Sequence, residues 1–488
     1  MGKLLLGIDV GATGCKVCLY DNELTLKASS YHETPLLFPG GGLVEADPEK
    51  WWESCVKGIR EVLAQAEGEV VAIGVSGTNA TIALGPSGEP LYNAIMQLDL
   101  RSVPLAEEIE KELGKERVWQ ITGNRIAAGT FSLPTILWMK RNLAVPPGRR
   151  ITFLVPTSYI VFKLTGKKGI DYSRAATTLL FDYHRKTWAT ELLRDLGIRE
   201  EELPQIYPPW EIVGGVDREA AEFTGLKVDT PVVAGCMDTV ASMLGAGLIE
   251  EGQVLLTLGT VGRISLITRP ENWRPEFLNC HHGVENKWLS IALINTAGAC
   301  LRWYRELVGA SYATLNEEAA TVQPGSEGLI FLPYLAGEKS PVWDPLARGI
   351  FFGLRLHHTR AHLYRAVLEG LSLAIRHNLE LMAQGQPQGF SLYVGGGGAG
   401  SQVWLEVLAS VLGRPLLVLK IPETEPLGAA WLAGKGIREV KQCTRGEALI
   451  QRTVLPREDL METYTKLLNI YRELYASNQR LFKNLSGG

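Results

Sequence analysis

Lys3-Leu4-Leu5-Leu6-Gly7-Ile8-Asp9-Val10-Gly11-Ala12-Thr13-Gly14-Cys15-Lys16-Val17-Cys18-Leu19-Tyr20 opens the chain with two apolar runs around a glycine pair. The pattern predicts a strand over 3–8, a tight turn over 11–14 and a second strand over 16–20, with Asp21-Asn22 turning again. That is a hairpin, not a strand feeding a helix. The same order returns 248 residues later: Val254 to Leu258, the turn Gly259-Thr260-Val261-Gly262, then Arg263 to Ile267. Gly11 aligns with Gly259 and Gly14 with Gly262, so the chain reads as two duplicated halves, 1–247 and 248–488.

Working outward, Pro48 after Asp47 starts a helix over 48–66, with Trp51, Trp52, Cys55, Val56, Ile59 and Leu63 at helical spacing. Val70 to Val75 returns to a strand, and this alternation predicts an α/β architecture. A helix is expected over 361–382 and a strand over 392–394 running into Gly395 to Gly398. Helix 457–483 carries one stripe of Leu460, Tyr464, Leu467, Tyr471, Leu474 and Leu481, beside a second of Met461, Leu468, Tyr475 and Phe482. Val145-Pro146-Pro147 and Tyr207-Pro208-Pro209 read as loops.

The 488 residues are 46% hydrophobic and 21% charged, an ordinary globular composition. A net charge of −4 without long runs of one sign argues against nucleic acid or anionic lipid as partners. With no apolar stretch of spanning length and an early acid, Asp9, no membrane segment or secretory leader is expected, and a cytoplasmic location is. Seven scattered cysteines, Cys443 the last, suggest reduced thiols; Cys15 and Cys18 read as small buried strand residues.

Glycine turns let clustered N–H groups approach phosphate oxygens closely. One such turn serves any hairpin that needs positive φ. Two, from two halves, can hold different phosphates of one nucleotide. Asp9 before the first turn and Lys16 after it add an oxygen ligand for Mg²⁺ and a cation for phosphate charge. A GxxxxGK[ST] loop is absent. Gly395-x-Gly397-x-x-Gly400, with a helix over 403–412, a strand over 416–419 and then Glu423, mimics a dinucleotide fingerprint, although late in the chain. Asp238, after the strand Pro231 to Ala234, faces a ligand crevice or caps the following helix; both readings stand. His357, His358 and His362 lack a third ligand at metal spacing and read as solvated or capping side chains.

Taken in order, Gly7 to Gly14, Gly235-Cys-Met-Asp-Thr239, Leu256 to Thr260, Phe331-Leu-Pro-Tyr-Leu-Ala-Gly337-Glu338, Gly349-Ile-Phe-Phe-Gly353-Leu354, Gly396-Gly-Gly-Ala399 and Pro426-Leu-Gly-Ala-Ala430 resemble the landmarks of the FGGY carbohydrate kinases, nearest to the xylulokinase pattern. The resemblance spans nearly the whole chain. It implies an α/β fold of two actin-like (ribonuclease H-like) ATPase domains with an interdomain cleft, and ATP with Mg²⁺ as cofactors. Carried over by motif, Asp238 is the catalytic base; Asp9 and Asp238 attend the metal; Gly11, Thr13 and Lys16 form the first phosphate hairpin. Gly259 and Thr260 form the second, and Gly298, Gly396, Gly397 and Gly398 line the nucleotide.

The sugar site departs from the pattern. Gly77-Thr78-Asn79-Ala80-Thr81 stands where xylulokinases carry a histidine, and Gln97-Leu98-Asp99-Leu100-Arg101 keeps only the acid and the arginine of the second segment. The resemblance therefore makes Thr78, Asn79, Asp99, Arg101 and Asp238 the substrate-binding set. Ala12 replaces a frequent Thr. The expected partners are a small ketose or polyol, a ketopentose first, and at most a second copy of the chain. A non-catalytic sugar- and ATP-binding regulatory protein on the same fold, or a kinase for glycerol, a tetritol or another sugar, is the competing reading. An NAD enzyme built on Gly395 to Gly400 is a third.

Overall fold

Each glycine turn closes a hairpin at the centre of its own sheet. The computed structural model describes residues 2–143, 150–384, 389–420, 424–440 and 449–486; Pro146, Pro147, Glu423 and Cys443 lie outside them. The described chain divides into two units: residues 2–249, 278–288 and 424–440 in the first, the remainder in the second.

In the first unit, β1 (Lys3–Val10), β2 (Gly14–Asp21), β3 (Leu26–Glu33), β4 (Glu69–Gly77), β5 (Ile212–Gly215) and β6 (Pro231–Val233) form a sheet in the order β5-β6-β4-β1-β2-β3. β1, β4 and β6 run parallel, while β2 and β3 turn back antiparallel. Helix Pro48–Gln65 buries Trp51, Trp52, Cys55 and Ile59, and the Asp47 side chain caps its start by accepting the Glu49 N–H at 2.9 Å. A second sheet of Leu37–Gly40, Leu43–Ala46, Ala94–Met96, Ala80–Leu84 and Thr152–Leu154 flanks this layer.

The second unit repeats the plan. Strands β7 (Gln253–Leu258), β8 (Gly262–Thr268), β9 (Trp288–Ile294), β10 (Ser391–Gly395), β11 (Leu416–Leu419) and β12 (Ile450–Val454) lie in the order β9-β8-β7-β10-β11-β12. The run β3-β2-β1-β4 thus matches β9-β8-β7-β10, with an antiparallel hairpin first and a parallel fourth strand in both. This is the duplicated actin-like α/β arrangement the sequence implied.

The main change of unit falls at 249/250, beside the 247/248 boundary expected from sequence, but two later segments, 278–288 and 424–440, return to the first unit. Helix Glu425–Gly436, carrying the Pro426-Leu-Gly-Ala-Ala430 motif, sits in the first unit on β1 and β4. The cause is close approach: a Cβ on Gly7 would lie 2.0 Å from the Pro426 carbonyl oxygen, and one on Gly74 1.9 Å from that of Ala429. Any side chain at either position would unseat the helix.

In the second unit, helix Arg360–Met382 and the C-terminal helix Met461–Ser486 cover the core. The buried face of the latter runs Tyr464, Leu468, Tyr471, Leu474, Tyr475 and Phe482, so it draws on both expected stripes and leaves Leu481 49% exposed. Six described cysteines are buried and unbridged, and Cys15 Sγ lies 3.1 Å from Cys55 Sγ. Among the described residues no helix is long and apolar enough to cross a membrane.

Candidate active site

In the first unit, Asp9 is the penultimate residue of β1, directly opposite Lys16 on β2 and Ser76 on β4. Cross-strand partners project to one face, so the acid and the lysine are neighbours. Ser76 Oγ donates to Asp9 Oδ1 at 2.7 Å. The short strand Cys236–Met237 pairs in parallel with the end of β4, Cys236 opposite Ser76. Asp238 follows immediately, so Asp9 and Asp238 both emerge at the carboxyl ends of parallel strands, where α/β sheets bind ligands.

Asp238 is the first residue of helix Asp238–Gly245, whose cap is Met237. Its Oδ1 accepts the Thr239 N–H at 2.7 Å, and its side chain keeps 25% exposure. The carboxylate thus serves the helix start, where the dipole favours negative charge, and still reaches solvent. Behind it lies Arg174, only 1% exposed, with Nη2 3.8 Å from Asp238 Oδ1. The sequence reading missed Arg174 and its neighbour Asp171, because a lone Asp-Tyr-Ser-Arg carries no spacing signal. Asp171 is fully buried, and that burial pushes its carboxyl up to about 6 against the hydrogen bonds it accepts from Ser173 and the charge of Arg174.

Thr78 and Asn79 sit between β4 and strand Ala80–Leu84, both buried. The Thr78 N–H donates to the Val10 carbonyl at 2.7 Å, and Asn79 Nδ2 to that of Thr130 at 2.9 Å. Asn79 Oδ1 is buried without a hydrogen-bond partner among the described residues.

Asp99 and Arg101 meet, but in a closed network. Asp99 Oδ1 accepts the Arg101 backbone N–H at 2.9 Å and its Nε at 2.8 Å; Oδ2 accepts Arg101 Nη2 at 2.8 Å and the Val44 N–H at 2.7 Å. Arg101 Nη2 also donates to Glu45 at 2.6 Å, and its guanidinium lies 4.9 Å from the Trp138 ring centroid. Both carboxylate oxygens are thus doubly occupied, and the pair is buried.

In the second unit the Gly259–Gly262 turn is braced by the start of helix Gly298–Val308. Gly298 N donates to the Gly259 carbonyl at 2.9 Å, and Ala297 and Ala299 N to that of Thr260 at 3.2 and 3.1 Å. A Cβ on Gly298 would stand 2.7 Å from the Gly259 oxygen, so only glycine admits this contact. One helical turn on, Arg302 Nη2 donates to Thr260 Oγ1 at 3.1 Å.

Gly396, at φ +85°, turns the end of β10 against the Leu258 backbone. Gly259, Thr260, Gly298, Gly397 and Gly398 then line one pocket of about 540 Å³, a size suited to a nucleotide. Arg302, Tyr312, Asn316, Tyr364, Ser401 and Trp404 are among its other walls; none was identified from sequence, since they are recruited from four helices. The Gly395–Gly400 run therefore closes a pocket shared with a glycine hairpin. It follows the fourth strand of a sheet, not the first strand of a dinucleotide domain.

Gly11 N donates to the Gly14 carbonyl at 2.8 Å, closing the first turn, and the Thr34 N–H holds the Thr13 carbonyl at 2.9 Å. Thr13 itself is exposed, and Lys16 Nζ lies 5.7 Å from the Tyr31 ring centroid.

Residues 4–245 match the N-terminal domain, and residues 257–437 the C-terminal domain, of the FGGY family of carbohydrate kinases. The xylulose kinase of Lactococcus lactis subsp. lactis is 31% identical, with 99% of this chain and 97% of the relative covered. The gluconokinase of Bacillus subtilis is 28% identical, with 99% and 97% covered. The ligand-bound xylulose kinase structure from Lactobacillus acidophilus superposes with a TM-score of 0.92 at 26% identity, covering 99% of this chain and 100% of that one. The duplicated sheets, the glycine-lined pocket and these full-length likenesses agree: the chain belongs to the FGGY family of carbohydrate kinases and is an ATP-dependent phosphotransferase acting on a sugar.

Proposed function

We propose that the acceptor is a small ketose or polyol, a ketopentose such as xylulose first, phosphorylated on a primary hydroxyl. The observation that carries this is Asp238, a part-exposed carboxylate at the end of parallel strands with an arginine behind it. Asp238 accepts the proton of the attacking hydroxyl as the oxygen meets the γ-phosphorus in line. Asn79 Oδ1, which lacks a donor among the described residues, accepts a second hydroxyl of the sugar. The ketopentose is favoured by the xylulose kinase relatives.

The second unit's pocket receives the nucleotide, with Thr260 and the glycines against its phosphates and Tyr312 and Tyr364 among its walls. The first hairpin, Gly11, Thr13 and Lys16, is a second phosphate-binding turn, where Lys16 offsets phosphate charge. Asp9 and Asp238, two carboxylates at strand ends on either side of β4, are the hard oxygen donors that suit Mg²⁺. When bound there, Mg²⁺ supplies charge neutralisation on phosphate oxygens.

Product identification tests this reading. With Mg-ATP and, separately, D-xylulose, D-gluconate, glycerol and erythritol, ³¹P NMR should show a new phosphomonoester on a primary carbon, most rapidly with D-xylulose. Product from D-gluconate alone would replace the ketopentose with a sugar acid. No product from any acceptor would leave the non-catalytic reading.

A further inference from the structure

Arg174 is an unusual residue to bury. Its side chain is 1% exposed, and Nε and Nη2 are enclosed without a hydrogen-bond partner among the described residues. A desolvated guanidinium left short of acceptors is costly to the fold. Its acidic neighbours are Asp171 on its own turn and Asp238, while the nearby Cys236 and Cys280 thiols are pushed up by burial and stay neutral. Of these, Asp238 stands at 3.8 Å and reaches solvent.

The turn that carries Arg174 is tied to the strand that carries Asp238. Asp171 caps the short helix Tyr172–Ala176, its Oδ1 accepting the Ser173 N–H at 2.7 Å and the Ser173 hydroxyl. Ser173 Oγ in turn accepts the Met237 N–H at 2.9 Å. Asp171, Ser173 and Arg174 therefore fix both the backbone just before Asp238 and the space behind its carboxylate. This uses two independent contacts, one through the Met237 amide and one through the guanidinium.

We infer that Arg174 is a positioning residue for Asp238: in the loaded enzyme its Nη2 donates to Asp238 Oδ1 and fixes the rotation of that carboxylate toward the acceptor hydroxyl. Closing the gap by about 1 Å brings the pair to hydrogen-bond distance. The hydrogen bond also satisfies a buried donor, which accounts for an otherwise uncompensated burial. A guanidinium suits the role better than an ammonium because its planar fork sets direction as well as charge. This inference rests on Asp238 being the base.

The test is steady-state kinetics of Arg174→Met and Arg174→Lys with Mg-ATP and the acceptor that gives most product, D-xylulose being expected. Arg174→Met should lower kcat by about thirtyfold while both KM values stay within about threefold, as expected when a reacting group is misdirected and not lost. Arg174→Lys should recover part of that loss. Wild-type kcat in Arg174→Met, or a raised sugar KM with kcat unchanged, would overturn the inference. Should Arg174→Met fail to fold, a crystal structure of the wild-type protein with ADP and D-xylulose decides: an Nη2–Oδ1 distance within 3.2 Å is expected, and a gap of 3.8 Å or more is contrary. Asp238→Asn separates the two readings. If it still turns over, the base assignment fails; if it is inactive but Arg174→Met is not impaired, only the positioning role fails.

Discussion

The two glycine hairpins begin from the same motif and end in different surroundings. The Gly259–Gly262 turn is held by three backbone N–H groups from residues 297–299 and one arginine, and it lines a pocket. The Gly11–Gly14 turn is closed mainly on itself, with Thr13 exposed, and its distinctive neighbours are Asp9 and Lys16. A shared motif supplied the same backbone shape twice; flanking segments then made one turn a floor for a ligand and the other a mount for charged side chains.

This contrast is most severely tested at the first unit's carboxylates. Asp238→Ala should lower kcat by at least about a hundredfold, the contribution of a general base, with ADP affinity by calorimetry nearly intact. Loss of ADP binding in that variant would erase the division of labour. Next in size, Gly298→Val forces a Cβ to within 2.7 Å of the Gly259 oxygen. It should raise the ADP dissociation constant about tenfold or more, the cost of displacing a packed turn. An unchanged dissociation constant would show that the second hairpin is not the nucleotide's floor.

Arg302→Ala removes the donor to Thr260 Oγ1 and should weaken ADP about fivefold, one hydrogen bond's worth, with kcat little altered. A kcat loss larger than the affinity loss would place Arg302 in the chemistry. The smallest effect is expected at Glu338, which is fully buried and pushed up to about 8 by desolvation, while its Oε1 accepts the Asn295 N–H at 2.8 Å beside the braced turn. Because the folded value lies above the unfolded one of about 4.3, stability falls as pH rises from about 4.3 towards 8. Glu338→Gln should flatten the thermal midpoint across that window and leave turnover within about twofold. A midpoint with unchanged pH dependence would assign the slope elsewhere.

Local signals carried far in this chain. Helix 48–66 was readable to within a residue because Asp47, Pro48 and the apolar period are all local. The duplicated hairpins were readable because glycine spacing is unmistakable. The hidden parts depend on distant partners. Asp99 and Arg101 stood out by their motif, whereas their partners Glu45, Val44 and Trp138 carried no local signal.

Glu327 likewise arrives from a separate turn, 3.0 Å from His357 Nε2. The Nδ1 atoms of His358 and His362 accept backbone N–H groups, in keeping with the capping reading. Glu327 also joins His357 and His358 in a group of three potential ligand side chains, a third that the sequence spacing did not show. The glycine-lined pocket was legible at its floor and not at its walls, since its helices are recruited by packing.

The account's central claim is best tested by sugar-dependent ADP release from Mg-ATP, measured against a no-sugar blank. It predicts strong stimulation by a ketopentose, with weaker responses from glycerol and tetritols. A rate equal to the blank with every ketose, polyol and sugar acid would contradict it.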